Sequence, residues 1–183
     1  MAKLILGIAG EMGSGKEAIS KHLVNTYGAH SHNFSQILSD ILERLYLEKT
    51  RENLTPLSFA LRKNFGEDIL AKVMYHDSVE DTADIVVVQG IRRIEDMTFL
   101  RQVPEFKFAF VDADMKLRYE RVSERREKAN DGLMTFDQFK ASHQYETELT
   151  IPDLRNYADY VLDNNGTYAE LYEQIDKIIS QNI

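Results

Sequence analysis

The sequence contains no cysteine, and only three prolines occur among its 183 residues. Without cysteine the chain has neither disulfides nor thiolate metal sites, which suits an intracellular protein without requiring one. No apolar run approaches the roughly 20 residues that span a bilayer. The apolar run 4–9 is too short for a signal peptide and leads directly into a glycine-rich stretch. We therefore expect a cytoplasmic protein with no membrane partner.

Basic residues are also in short supply, with 22 lysines and arginines against 30 aspartates and glutamates and a formal net charge of −8. A general nucleic-acid binder needs a basic surface, so this balance argues against a nucleic-acid partner. If the protein binds phosphate groups, its basic residues must be gathered locally around them. The length favours a single domain over residues 1–183, which we expect to be a monomer.

One glycine-rich stretch lies between a short apolar run and a helical pattern. It comprises Gly10, Glu11, Met12, Gly13, Ser14, Gly15 and Lys16. The G-x-x-x-x-G-K spacing is typical of a phosphate-binding loop, in which backbone amides and a helix N-terminus surround phosphate oxygens. Lys16 would then place a positive charge on the outer phosphates. The alternative is a plain glycine-rich turn, but the spacing, the lysine and the strand–helix context favour a phosphate site.

Strands and helices alternate along the rest of the chain. We predict strands at residues 3–9, 29–34, 84–88, 106–111 and 156–162. The third of these contains the β-branched run 85–88 without polar alternation, which indicates a central strand buried on both faces. The alternation implies an α/β protein with a five-stranded parallel sheet and helices on both faces.

Several local signals refine this outline. Ser35 can cap the helix that follows the second strand, and Pro56 suits the first turn of another helix. We expect a further helix around Met97, between the third and fourth strands. His30 and His32 share one strand face without an evident third ligand, so a structural or surface role is favoured over a metal site.

The carboxyl ends of the predicted strands gather the polar and basic residues. Ligands bind at this edge of a parallel sheet. The glycine-rich loop, Ser35 and residues 89–92, 112–114 and 164–167 all fall there. The basic residues in the same region are Lys16, Arg51, Arg62, Arg92 and the series Arg118, Arg121, Arg125 and Arg126. This convergence meets the requirement that the net charge sets for a phosphate-binding protein.

With these residues in place, the chain resembles the P-loop nucleoside monophosphate kinase superfamily, in particular its adenylate-kinase-like and dephospho-CoA-kinase-like members. The likeness covers nearly the whole chain and rests on residues 10–16, 50–54 with 61–62, 89–92, 117–121 with Arg125, and 158–167. It implies a three-layer P-loop NTPase fold with a core of residues 1–34, 76–126 and 149–183. An acceptor-binding helical insertion would occupy 35–75, and a small helical lid without zinc would occupy 127–147.

The resemblance also implies roles for individual residues. ATP would be bound by the loop Gly10–Lys16, Glu17, Arg121, Asn165, Gly166 and Thr167. The acceptor would be bound by Ser35, Arg51, Arg62, Gln89 and Arg92. The migrating phosphoryl group would be held by Lys16, Arg92, Arg121 and Arg125. ATP and Mg²⁺ are the implied cofactors.

Two positions depart from the family pattern, and in the family both normally contribute to magnesium binding. Glu17 replaces the Ser or Thr that follows the lysine, and Gln89 replaces an Asp at the end of the third strand. Either Glu17 supplies a carboxylate to the metal, or it points away as an acidic first-turn residue favoured by the helix dipole. The sequence leaves both readings open.

The predicted function is transfer of the γ-phosphoryl group of ATP to a nucleoside monophosphate or a related phosphorylated acceptor. Extra arginines suit an acceptor that already carries phosphate, and the chemistry needs placement and cations more than a general base. A dephospho-CoA kinase, which has a hydroxyl acceptor, is the first alternative. The departures at Glu17 and Gln89 motivate another, a nucleotide-binding protein without transfer activity.

Overall fold

The centre of the molecule is one five-stranded sheet in which every strand pair is parallel. The computed structural model describes residues 2–125 and 134–183. Its strands are β1 (Leu4–Ala9), β2 (His30–Asn33), β3 (Ile85–Gln89), β4 (Phe106–Asp112) and β5 (Tyr160–Asp163), in the order β2-β3-β1-β4-β5. The predicted α/β fold and the interior position of the third strand are confirmed.

Helices lie between the strands, except between β3 and β4, where the chain forms 3-10 turns, and the last helix follows β5. They are α1 (Lys16–Tyr27), α2 (Phe34–Arg44), α3 (Arg51–Phe65), α4 (Ile69–Glu80), α5 (Met115–Arg125), α6 (Phe136–Ser142), α7 (Glu146–Leu149) and α8 (Tyr168–Asn182). Short 3-10 turns cover Ile94–Met97, Leu100–Gln102 and Pro152–Tyr157. Within the described residues, no helix is both long enough and apolar enough to cross a membrane.

Two apolar layers lie on opposite faces of the sheet. Because strand side chains alternate, Leu4, Leu6 and Ile8 of β1 pack on one face with α1 and α8, whereas Ile5 and Ala9 pack on the other with α2 and α4. Burying each large aliphatic side chain contributes about 1.5–3 kcal/mol, so both layers hold the strand ends in fixed relative positions. The three-layer prediction is therefore confirmed.

The start of α2 differs from the prediction. Asn33, not Ser35, is the capping residue, because its side chain accepts a hydrogen bond from the Ser35 amide at 3.0 Å. The Ser35 hydroxyl also donates to the Asn33 side chain, at 2.9 Å. Asn33 is the last residue of β2 and has an extended backbone, which is the conformation that a capping residue requires.

Other boundaries also move. Helix α3 begins at Arg51, so Pro56 lies inside the helix rather than in its first turn. The Thr50 carbonyl already accepts the Leu54 amide at 2.9 Å, which starts the helix before the proline is reached. The predicted helix around Met97 is replaced by two 3-10 turns. The division into core, insertion and lid stays a prediction, and residues 126–133 of the proposed lid region lie outside the described part of the chain.

Candidate active site

The glycine-rich loop joins β1 to α1 at the carboxyl edge of the sheet. Gly13 and Gly15 have positive φ angles of 78° and 108°. A Cβ atom at Gly13 would lie 2.5 Å from the Arg118 carbonyl oxygen, and one at Gly15 would lie 2.2 Å from the Asn164 side-chain nitrogen. Conformation and space therefore both require glycine, and the loop leads into the N-terminus of α1, where an anion is favoured.

Lys16 points back into this loop. Its Nζ donates to the Gly10 and Glu11 carbonyl oxygens at 2.6 and 2.9 Å. Burial lowers the pKa of Lys16 to about 8; the negative charge of Glu148 opposes this shift, and the positive charge of Arg92 adds to it. The lysine is thus held by weak neutral acceptors in a place where a phosphate oxygen would be a stronger partner.

Ser14 provides a second sign that the loop suits an anion. The residue is only 1% exposed, and its Oγ has no hydrogen-bond partner among the residues that the structure describes. A buried hydroxyl without a partner is unfavourable by about 1–3 kcal/mol. A bound phosphate oxygen would supply the missing partner.

Arg118 of α5 stabilises the glycine-rich loop through contacts with Met12 and Glu11. It is buried, and its Nε donates to the Ala113 carbonyl oxygen at 3.0 Å. Its Nη1 donates to the Met12 carbonyl oxygen at 3.2 Å, and its Nη2 pairs with the Glu11 carboxylate at 3.0 Å. The side chain of His143 completes this group, since its Nε2 lies 2.7 Å from Arg118 Nη1. Sequence spacing grouped Arg118 with the phosphate-facing arginines, but its contacts give it a structural role.

Arg121 lies one turn further along α5 and is less completely paired. Its Nη2 donates to the Asn164 side-chain oxygen at 3.3 Å, and its guanidinium lies 5.5 Å from the ring centre of Tyr168. Its Nη1 is buried without a hydrogen-bond partner among the described residues. Asn164 is fully buried and donates to the Ser14 carbonyl oxygen at 2.7 Å, which ties Arg121 to the loop. The side chain of Arg125, predicted to act beside it, lies outside the described part.

The predicted donor-side loop after β5 reaches the same edge. The Asn165 side chain accepts the Asp114 amide at 2.7 Å. Thr167 caps α8 in a reciprocal capping box with Glu170. A Cβ at Gly166 would lie 2.2 Å from the Glu170 carboxylate. The side chains of Asn165 and Thr167 form hydrogen bonds within the protein. A ligand at this loop would therefore contact its backbone groups.

The predicted acceptor arginines divide into two groups. Arg92, at the end of β3, has a half-exposed side chain whose Nη1 lies 3.1 Å from the Glu148 carboxylate. Arg51 starts α3 and lies 5.7 Å from the ring centre of Tyr145. Arg62 points elsewhere: its Nη1 donates to the backbone carbonyl oxygen of Glu67 at 2.7 Å. Arg51 and Arg92 therefore both contact the segment 145–148, whereas Arg62 contacts Glu67.

Glu17 and Gln89, the two residues expected to contribute to magnesium binding, contact other protein groups. Glu17 forms an ion pair with Lys21, at 3.0 Å along α1. The Gln89 amide nitrogen donates to the hydroxyls of Ser20 and Ser31, at 3.0 and 2.9 Å. Within the described residues, no group of three His, Asp or Glu side chains could hold a metal ion. Glu17 as a metal ligand stays a prediction.

Sequence reasoning missed several residues of this site. Glu148 lies in α7, and His143 and Tyr145 lie in the connection between α6 and α7; none of them carries a recognisable motif. They reach the site because residues 143–151 return to the end of β3, where Thr150 and Glu148 contact Arg92. Tyr168 could have been found from its place next to the predicted donor-side loop.

Two relatives match the chain along almost its whole length. It is 26% identical over 179 residues to a UPF0200 protein of Hyperthermus butylicus, covering 98% of this chain and 95% of the relative. It is 27% identical over 185 residues to a UPF0200 protein of Thermococcus kodakarensis, covering 98% of each. No family model matches the sequence.

Solved structures are similar in fold at lower sequence identity. TT1252 from Thermus thermophilus matches with a TM-score of 0.67 at 18% identity, and the match covers 100% of both chains. A shikimate kinase from Bacteroides thetaiotaomicron matches with a TM-score of 0.63 at 13% identity, covering 97% of both chains. The chain has the P-loop kinase fold. In open α/β sheets ligands bind at the carboxyl ends of the strands, and in this chain that edge carries Lys16 and the loops after β3 and β5.

Proposed function

We propose that the protein is an ATP-dependent kinase that transfers the γ-phosphoryl group to a small-molecule acceptor. The observation that carries this proposal is the position of Lys16 on a glycine-rich loop, with Arg92 after β3 and Arg121 on α5 near the same loop. Phosphoryl transfer needs positioning and fixed positive charge more than covalent chemistry. The P-loop kinase fold, shared with a protein named as a shikimate kinase, supports the same reaction class.

The first candidate acceptor is the one expected from the sequence, a nucleoside monophosphate or a related phosphorylated molecule. Arg51 and Arg92 support a phosphorylated acceptor, because guanidinium groups form bidentate hydrogen bonds with phosphate. The proposal includes a cytoplasmic monomer and ATP with Mg²⁺ as donor. Because Glu17 and Gln89 have protein partners, no step of the reaction is assigned to the metal.

A second candidate, a kinase for a hydroxyl acceptor such as dephospho-CoA, is favoured by one specific observation. The carboxylate of Glu148 lies against Arg92, one of the two arginines available for an acceptor phosphate. An acidic side chain at this position lowers the positive charge that a phosphorylated acceptor would meet. The same feature is compatible with an acceptor that presents a neutral hydroxyl.

A coupled assay for ADP production tests the proposal. The wild-type protein is supplied with ATP and, separately, with AMP, CMP, GMP, UMP, dephospho-CoA and shikimate, with Lys16→Ala as the inactive control. We expect acceptor-dependent ADP production by the wild type only. ATP binding without ADP production with any acceptor would instead support the nucleotide-binding protein without transfer activity.

A further inference from the structure

Glu148 is a carboxylate placed among the cations of the candidate active site. Its Oε1 lies 3.1 Å from Arg92 Nη1, and its side chain is only 16% exposed. It is also close enough to Lys16 for its charge to raise the pKa of that lysine, against the effect of burial. Glu148 thus pairs directly with Arg92, which follows β3, and acts electrostatically on Lys16 of the glycine-rich loop.

The position of Glu148 is fixed by the segment around it. Thr150 Oγ1 donates to the Arg92 carbonyl oxygen at 2.7 Å, and the Ile151 side chain is buried in the core beneath. On the other side, the Arg92 amide donates to the buried Asp96 carboxylate at 3.0 Å. Both partners of the ion pair are therefore anchored through the backbone, and the carboxylate is not a freely mobile surface group.

This arrangement bears on the chemical class of the acceptor. A phosphorylated acceptor would bring a phosphate dianion against the Glu148 carboxylate, where like charges repel. Arg62 does not offset this repulsion, because its guanidinium donates to the Glu67 carbonyl oxygen. A hydroxyl group meets no such repulsion and has a proton that must leave during transfer. About half of the Arg92 side chain remains exposed and can contact an anionic group elsewhere on the same acceptor.

We propose that Glu148 is the proton-accepting catalytic residue and that the acceptor presents a hydroxyl group to it; this rests on the proposed kinase function. The hydroxyl oxygen attacks the γ-phosphorus of ATP, and an O–P bond forms. The bond between the γ-phosphorus and the β,γ-bridging oxygen breaks, and its electron pair leaves with ADP. The hydroxyl proton passes to the Glu148 carboxylate and from there to solvent. The products are ADP, the phosphorylated acceptor and one proton.

The geometry supports this role because Lys16 marks where the outer phosphates of ATP would lie. A carboxylate beside that lysine is within reach of a hydroxyl aligned for attack on the γ-phosphorus. A positioned general base contributes about 10²–10⁴-fold to a rate.

The test compares Glu148→Gln and Glu148→Asp with wild type, using the hydroxyl acceptors dephospho-CoA and shikimate and the four nucleoside monophosphates. Glu148→Gln keeps an oxygen that can accept from Arg92 but removes the proton-accepting carboxylate. Glu43→Gln is the matched control, since it makes the same chemical change in the Lys49 ion pair on α2. Thermal unfolding of each variant is measured beside kcat, KM and the pH profile.

We expect a hydroxyl acceptor to be the better substrate. With it, Glu148→Gln should lower kcat by about 100-fold or more with little change in KM, and the acidic limb of the pH profile should disappear. Glu148→Asp should retain more activity than Glu148→Gln, and Glu43→Gln should match wild type. A merely structural role for Glu148 would lower the unfolding temperature and leave the shape of the pH profile unchanged.

Three results would overturn the inference, and they differ in what else they overturn. Phosphorylation of a nucleoside monophosphate alone, at similar rates by wild type and Glu148→Gln, would refute the role of Glu148 but support the kinase. The absence of ADP production with every acceptor, despite ATP binding, would contradict both the kinase proposal and the inference. Faster phosphorylation of a monophosphate by Glu148→Gln would show that the carboxylate hinders a phosphate acceptor and refute its role as base.

Discussion

At the scale of single residues, Lys16 illustrates how a desolvated charge lowers stability. The folded-state pKa of about 8 lies below the usual value of 10.5. The folded protein therefore binds fewer protons than the unfolded chain between these values, and stability rises with pH there. The buried charge disfavours folding fully below pH 8, by about 3 kcal/mol, and this effect fades as the pH rises towards 10.5.

Replacing this lysine should separate activity from stability. We expect Lys16→Met to abolish phosphoryl transfer while the protein remains folded. Relative to wild type, the free energy of unfolding of the variant should fall by about 2–3 kcal/mol between pH 7 and pH 10, because only wild type gains from deprotonation. Denaturant unfolding at the two pH values measures this difference. Undiminished turnover by Lys16→Met would remove Lys16 from the donor site.

Glu17 gives a second prediction at the same scale. Because its carboxylate pairs with Lys21 one turn along α1, we expect Glu17→Gln to change stability by only about 0.3–0.5 kcal/mol. The dependence of ATP affinity on magnesium concentration should match wild type. Calorimetric titration of ATP with and without magnesium measures it. A loss of magnesium dependence in Glu17→Gln would favour the metal-binding reading instead.

At the scale of elements, the edge strand β2 is attached to the end of α4 by one carboxylate. Asp81 accepts from His30 Nδ1 and His32 Nε2, each at 2.8 Å, and from the Ala83 amide at 2.8 Å. Burial alone would raise the pKa of Asp81, but the hydrogen bonds from Ala83, His32 and His30 outweigh it and the pKa is lowered. The period-two histidines thus have a structural role, which agrees with the reading favoured from the sequence.

Removing this carboxylate should loosen the attachment of β2. We expect Asp81→Asn to lower the free energy of unfolding by about 1–3 kcal/mol at neutral pH. Because the folded-state pKa is depressed, the stabilisation is present above the ordinary pKa of 3.8 and is lost as the pH falls through the folded value. The difference from wild type should therefore shrink between pH 7 and pH 3 in denaturant unfolding. Asp84→Asn, which removes an exposed ion pair with Lys3, is the control and should cost at most about 1 kcal/mol.

At the scale of the whole molecule, tertiary packing places Arg62 and Arg92 in different environments. Arg62 donates to the Glu67 carbonyl oxygen and lies 3.8 Å from the buried Asp96 carboxylate, so it links α3 to the turn after β3. Arg92 lies with Glu148 at the site. Sequence resemblance assigns both arginines to the acceptor.

The two arginine variants should differ accordingly. We expect Arg62→Ala to lower the free energy of unfolding by about 1–2 kcal/mol and to leave acceptor kinetics close to wild type. Arg92→Ala should weaken acceptor use by about 2 kcal/mol, roughly 30-fold in kcat/KM, with little effect on the apparent ATP affinity. Unfolding curves and steady-state kinetics with varied acceptor or ATP distinguish them. A change confined to the ATP affinity of Arg92→Ala would place this arginine on the donor side.

The sequence by itself determined the sheet, its parallel strands and the phosphate loop. These features depend on local patterns: the β-branched run at 85–88, the spacing of glycines before Lys16 and the alternation of strands with helices. The sequence did not determine the helix boundaries near Asn33 and Pro56. Several neighbouring residues in each place could cap or begin a helix, and the backbone conformation decides which one does.

Only the tertiary structure decided which charged residues meet. Glu148 is distant in sequence from Lys16 and Arg92, and no motif marks it, yet residues 143–151 bring its carboxylate to both. Arg118 and Arg121 share a helix and a spacing, but Arg118 contacts the Met12 carbonyl oxygen and Glu11, whereas Arg121 has a side-chain nitrogen without a partner among the described residues. The physical reason is that local patterns report backbone periodicity, whereas the pairing of a charge depends on burial and on neighbours that lie far away in the chain.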